Sequence, residues 1–199
     1  YDIVCRVNDV RAVGCEEDYG ARTDILFLTL PTSSLHVVRD KLEQSRETVS
    51  NIKLIVCPQI KAQHDWGGST IENFKSLNAH DLPFVNIPPE KYWHYSALTG
   101  VELNSGIISL MLLLESLVSS LLLTGFSFYK EGVVKPLKGK EAYEACYYKG
   151  YRGRGQKNLN WIPSLAHPHG WEERFFRDYI FPHYGTILHI DSYFRNLIN

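Results

Sequence analysis

The sequence lacks any cysteine pair at metal-binding spacing. Its four cysteines, Cys5, Cys15, Cys57 and Cys146, form neither a CxxC nor a Cys/His zinc pattern. That argues against a structural zinc site. Four cysteines suffice for two disulfides, but in a chain of 199 residues buried thiols are an equal reading. Net charge is also nearly absent, at -1. Whole-chain attraction for a polyanion is thereby excluded, and any anion site must be built locally. There is no internal repeat and no low-complexity tract; no signal or transit peptide is visible in this stretch, and one removed before Tyr1 is compatible with it. The chain starts at Tyr1 rather than Met, inside an apolar run, so the expectation is a piece of a longer protein.

Long hydrophobic runs are equally scarce, with one near exception. Gly106 to Gly125 reads GIISLMLLLESLVSSLLLTG, about the length that crosses a bilayer. Glu115 at its middle, with Ser116, Ser119 and Ser120 close by, is costly in lipid. A buried helix followed by a buried strand is the better reading. Membrane association, on this reading, would come from outside the present stretch, and the compartment is left open.

What is present is ordinary globular composition, 44% hydrophobic, 22% charged and 13% aromatic. One domain spanning residues 1–199 is expected. Short apolar runs read as strands at Tyr1–Val7, Asp24–Leu30, Lys53–Cys57, Phe84–Ile87, Leu121–Phe126 and Thr186–Ile190. Helices are expected from Ser33 or Ser34 to about Ile52, at Thr70–Leu77, Glu90–Ala97, Ser105–Val118 and Trp171–Ile180. Residues 130–163 lack periodicity and read as a mobile basic loop region. Strands alternating with helices imply an α/β fold, a mostly parallel sheet with helices on both faces. Ligands then bind beyond the carboxyl ends of the strands.

Three stretches resemble the sialylmotifs of the animal-type sialyltransferase family. The first runs from Asp2 to Pro31 and matches at Arg6, Asn8, Gly14, Glu16, Asp18, Gly20, Arg22, Thr23 and Pro31. It is similar to the second half of the family's long motif, whose first half would precede Tyr1. The second runs from Leu103 to Phe126, where Asn104-Ser105-Gly106 opens an apolar helix and Gly125-Phe126 closes a strand. It resembles the short motif. The third, His167-Pro168-His169-Gly170-Trp171-Glu172, resembles the HxxxxE motif. The chain departs from the family at Cys146-Tyr147-Tyr148-Lys149, where the family has His-Tyr-Tyr-acid. The short-motif stretch also lacks the cysteine that the animal enzymes pair with their long motif. A distant member is the resemblance implied, with a Rossmann-like variant glycosyltransferase (GT-A-like) fold.

The resemblance implies an inverting, metal-independent transferase that moves an acidic sugar from a CMP-sugar to a glycan hydroxyl. Sialic acid is the first expectation for that sugar, and another CMP-linked keto-acid such as Kdo the second. No cofactor is implied, since the CMP-sugar is a co-substrate. The chemistry suits the residues. Asn104, Ser105 and Gly106 open a helix whose N–H groups and dipole favour a phosphate, although Asn and Ser there are also ordinary caps. Asn8 follows a strand and is assigned to CMP, against a reading as a turn residue. His167 is the general base, because a neutral imidazole accepts a proton near pH 7; His169 is its neighbouring rival. Glu172 either orients that imidazole or complements the helix dipole. Phe126, Phe128 and Tyr129 follow a strand end and flank the cytosine or meet the phosphate, against plain packing. Arg6 is read as structural, paired with Glu16 or Asp18.

A rival of another class is a non-catalytic nucleotide- or RNA-binding module. It rests on Lys135, Lys138, Lys140, Lys149, Arg152, Arg154 and Lys157, interleaved with tyrosines. The same stretch also reads as a lid over an anionic donor or as a solvated loop.

Overall fold

The structure, a computed structural model, describes residues 2–8, 20–29, 51–58, 72, 75, 82–101, 103–126 and 171–198. Four strands form one parallel sheet in sequential order: β1 (Cys5–Val7), β2 (Ile25–Phe27), β3 (Leu54–Cys57) and β4 (Phe84–Asn86). The register pairs Arg6 with Leu26, Leu26 with Ile55, and Val56 with Val85. Helices α1 (Pro89–Thr99) and α2 (Ser105–Leu114) follow, then β5 (Leu121–Leu123). The last described segment holds α3 (Trp171–Phe175), a π-helical turn (Phe176–Ile180), α4 (Phe181–Tyr184), β6 (Leu188–Ile190) and α5 (Ser192–Ile198). Strand β6 pairs parallel with β5. The chain is therefore α/β, with parallel pairing throughout its described strands.

The amino ends of the first three strands meet on one carboxylate. Asp24 precedes β2 and is buried at 3% exposure. Its Oδ2 accepts from the Val4 N–H at 2.8 Å and from Arg22 Nε at 2.7 Å. Its Oδ1 meets Lys53 Nζ at 2.8 Å, just ahead of β3. Its backbone accepts from the Lys53 N–H and donates to the Val4 carbonyl, both at 2.8 Å. This explains why β1 starts at Cys5 and leaves Asp2 to Val4 outside it, since the side chain of Asp24 takes the Val4 N–H from any ladder. Arg6 donates from Nε to Thr23 Oγ1 at 2.8 Å and from Nη2 to the Gly20 carbonyl at 2.6 Å. These bonds tie Arg6 to the segment before β2; the expected partners Glu16 and Asp18 lie outside the described residues.

Helix α2 is the centre of the core. Ile107, Ile108, Ser109, Leu110, Met111 and Leu114 are all buried on it. The five apolar ones join Phe27 and Val56 of the four-stranded sheet, Leu123, Leu188 and Ile190 of the β5–β6 pair, and Phe176 and Phe194 in one cluster. Each such side chain contributes about 1.5–3 kcal/mol. The helix ends at Leu114, short of the expected Val118. Glu115 turns out to pair with Lys91 of α1, Ser116 Oγ bonds back to the Leu112 carbonyl at 2.7 Å, and Leu117 is fully exposed. Among the described residues no helix is long and apolar enough to cross a membrane. Strand β5 likewise stops at Leu123, because Thr124 Oγ1 turns to Asp191 Oδ2 and Gly125 takes a φ of 76°.

Other boundaries shift for similar reasons. Helix α1 runs on to Thr99 and stops at Gly100, whose left-handed φ of 69° lets its N–H reach the Ser96 carbonyl. The helix expected at Trp171–Ile180 continues to Tyr184 through the π turn. Pro182 has no N–H for the carbonyl four residues back, and the Phe181 N–H reaches the Phe176 carbonyl instead. Helix α5 was not expected; Asp191 caps it, with Oδ1 accepting from the Phe194 N–H at 2.6 Å. Asn51 and Ile52 are not helical, contrary to the expected helix ending there. The rest of that helix, and residues 130–163, lie outside the described residues. Cys5 and Cys57 are thiols, so the four cysteines do not make two disulfides. Burial, with the negative Asp24 beside it, pushes the Cys5 thiol up to about 11.

The Asp24 clamp makes a testable demand. Its partners hold the carboxyl well below the usual carboxylate range: Lys53 first, then the Val4 N–H and Arg22, against the opposing effect of burial. A depressed folded value contributes stability above the ordinary aspartate value, near ~3.9, and that contribution is lost as pH falls through the folded one. Asp24→Ala is expected to cost about 1–3 kcal/mol at pH 7 by urea unfolding, since it strands the Val4 N–H. The difference between variant and wild type should shrink below about pH 4.

Candidate functional site

Several of the residues expected from sequence to be functional stand at the carboxyl ends of the strands. Asn8 directly follows β1 in a left-handed conformation, φ 59°, which Asn tolerates better than most side chains. Its N–H donates to the Phe27 carbonyl at 2.8 Å. Its amide oxygen accepts from the Thr29 N–H at 3.2 Å, which fixes the amide orientation. Thr29 in turn follows β2. Its hydroxyl lies 2.6 Å from the hydroxyl of Ser105, the first residue of α2. Two strand ends and one helix start are thus joined by side-chain hydrogen bonds.

Helix α2 opens with a conventional cap. Asn104 Oδ1 accepts from the Ile107 N–H at 2.8 Å. The Ser105 and Gly106 N–H groups stand at N1 and N2, where the helix itself offers no acceptor. Gly106 matters for space. A Cβ there would stand 3.2 Å from Asn104 Oδ1 and 3.3 Å from the Phe126 ring. Phe126 follows β5, so its ring covers the first turn of α2. It meets Phe194 edge-on at 6.1 Å.

Glu172, in the first turn of α3, completes the group. It is 5% exposed and takes the Asn104 backbone N–H on its carboxylate. Burial dominates over that hydrogen bond and pushes its carboxyl up to about 7. A buried acid that titrates near neutrality, held against a helix N-terminus, is a common feature of acid–base sites.

Of the residues expected from sequence, Asn8, Asn104, Ser105, Gly106, Phe126 and Glu172 converge here, drawn from positions far apart in the chain. Arg6 stands apart, tied into the segment before β2. His167, Phe128 and Tyr129 lie outside the described residues. Thr29 was missed. Its signal was available, since it sits at the end of an apolar strand run in a parallel sheet, where ligand-facing residues collect. An open cleft of about 390 Å³ beside Ala21, Arg22, Asp24, Asn51 and Lys53 lies at the opposite, amino edge of the sheet. Arg22, Asp24 and Lys53 there are engaged in the Asp24 clamp, and the cleft is no part of this site.

No family model, curated protein or solved structure matches the chain.

The raised Glu172 value has a definite sign. The folded state holds the proton more tightly, so its stabilising share is complete below the unfolded value near ~4.3 and is lost as pH rises through about 7. Glu172→Gln keeps an acceptor for the Asn104 N–H and removes the charge. The variant is expected to lose the wild type's decline in stability between about pH 4 and pH 8. At pH 8 it should be the more stable by up to about 3 kcal/mol in denaturant titrations.

Proposed function

We propose that this chain is the catalytic core of an inverting, metal-independent glycosyltransferase of GT-A-like fold. In this reading it transfers an acidic sugar from a CMP-sugar to a glycan hydroxyl. The observation that supports it most is the convergence of residues from all three motif-like stretches on one locus: Asn8, Asn104 to Gly106, and Glu172. Parallel α/β sheets bind nucleotides at this edge.

In this mechanism the phosphate of CMP rests on the Ser105 and Gly106 N–H groups at the positive end of the α2 dipole. Gly106 lets it approach, and Phe126 walls the site. Asn8 has spent its amide oxygen on Thr29, and its NH₂ remains to bind the nucleotide. His167 removes the proton of the acceptor hydroxyl. The acceptor oxygen bonds to the anomeric carbon as the bond from that carbon to the phosphate oxygen breaks. CMP leaves with the electron pair through an oxocarbenium-like transition state. Glu172 holds the start of α3, which follows His167 in sequence, against the start of α2. Sialic acid is the donor sugar first proposed, and another CMP-linked keto-acid such as Kdo the second.

Calorimetric titration with CMP tests the donor site. Saturable binding is expected, and Gly106→Val should weaken it at least tenfold while the circular dichroism spectrum is kept. Absence of CMP binding, with tight and salt-steep RNA binding instead, would establish the nucleic-acid module in its place. CMP release from CMP-sialic acid or CMP-Kdo tests the base. His167→Ala is expected to slow it by about 10²–10⁴. An unchanged rate would remove His167 from that role.

A further inference from the structure

A row of hydroxyls enters the most apolar element of the fold. Helix α2 reads SGIISLMLLL, and both of its serines are buried, Ser105 at 6% and Ser109 at 1% exposure. Ser109 Oγ donates to the Ser105 carbonyl at 2.6 Å. Ser105 Oγ lies 2.6 Å from Thr29 Oγ1. The Thr29 N–H donates to Asn8 Oδ1 at 3.2 Å. Thr29 therefore meets Asn8 with its backbone and Ser105 with its side chain. It stands between the residues that the proposed donor site takes from the end of β1 and the start of α2.

This row holds one proton more than it uses. A hydroxyl carries one proton and two lone pairs. The Ser109 proton goes to the Ser105 carbonyl. Between Thr29 and Ser105 one proton lies on the line joining the oxygens, whichever of them donates, and the second is left over. Among the described residues neither hydroxyl has another partner. A nearly buried O–H without an acceptor is unfavourable, so the spare proton favours an incoming one. The surroundings are electropositive, because the Ser105 and Gly106 N–H groups also have no acceptor within the helix.

We infer that Thr29 is a positioning residue for the nucleotide phosphate: it donates to Ser105 Oγ and so turns the Ser105 O–H toward the phosphate at the start of α2. This role deepens the transferase reading above and rests on it. Thr29 acts through Ser105 and does not itself touch the substrate. A hydroxyl that accepts one hydrogen bond donates the next more strongly, since linked hydrogen bonds polarise one another. The phosphate gains a negative charge as its bond to the anomeric carbon breaks. The same O–H therefore holds the departing CMP more strongly than the intact donor.

Thr29→Val has nearly the same shape, keeps the N–H bond to Asn8 and removes the hydroxyl. Calorimetry with CMP, cytidine and inorganic phosphate reads its effect. The variant is expected to weaken CMP and phosphate by about five- to tenfold, the worth of one hydrogen bond to a charged group, and to leave cytidine within about twofold. Thr29→Ser should restore CMP to within about twofold of wild type. On a Ser105→Ala background Thr29→Val should cost little more, because the two residues act through one bond. Thr29→Ala removes the same hydroxyl with a smaller side chain and takes its place if Thr29→Val fails to fold. Three results overturn the inference: the folded variants keep wild-type affinity for CMP and phosphate, CMP and cytidine are lost equally, or Thr29→Ser restores nothing. Thr29-dependent binding of phosphate without binding of CMP would support the hydroxyl pair and sink the transferase reading. A wild type that binds neither would sink both.

Discussion

The parallel sheet depends on the Asp24 carboxylate. Parallel strands have no tight hairpins to set their register, so something else must align their ends. Here one buried acid binds the backbone before β1 and the side chain before β3, while its own backbone bonds to both neighbours. Three strand beginnings are therefore level. Because the strands are of similar length, their far ends are level too, and Asn8 and Thr29 come within hydrogen-bonding distance of each other. The site at one edge of the sheet is set by a charge cluster at the other. Several residues that resemble the long motif, Arg6, Gly20, Arg22 and Thr23, belong to this framework, whereas Asn8 belongs to the site.

At the carboxyl edge the organising element is the start of α2. It receives a hydroxyl contact from the β2 end, a ring from the β5 end and a carboxylate from α3. The rest of that helix is buried in the core, so its first turn cannot move without disturbing most of the packed interior. Preorganised donors of this kind stabilise developing charge well, because they need no rearrangement when it appears.

Much of this was legible in the sequence. Every expected strand with described residues exists, because short apolar runs bounded by Pro, Gly and polar residues admit few other readings. Glu115 rightly argued against a membrane span. Ends were less legible. The stop at Leu114 depends on Lys91, 24 positions earlier, reaching Glu115, which no local pattern shows. The Asp24 clamp was hidden for the same reason, since an acid between two strand runs looks like a loop residue until its partners arrive. Burial of Glu172 was also unreadable, because its position in a first helical turn fits a solvent-exposed acid equally well. Helix α5 was a different kind of miss: Asp191 ahead of an apolar-containing run is a visible capping signal. Of the candidate site, Asn8, Asn104 to Gly106, Phe126 and Glu172 were named from the sequence and come together, whereas Thr29 was not named, as it carries no motif and gains its place only from the sheet edge.

The π turn at Phe176–Ile180 bears on how one aromatic ladder is possible at all. Trp171, Phe175, Tyr179 and His183 recur every fourth position along the last helical segment, and their rings stack at centroid separations of 5.3, 5.0 and 4.4 Å. In a regular α-helix, positions four apart rotate by about 40° beyond a full turn, so a row of four rings would spiral around the axis. A turn closed at the fifth residue rotates less per residue and cancels part of that drift. The segment can be viewed as an ordinary helix that has accommodated one additional residue, with Pro182 marking where the hydrogen-bond ladder gives way. Its geometric effect is phase correction: it keeps His183 in line with Tyr179 and lets the row that begins at Trp171 run straight.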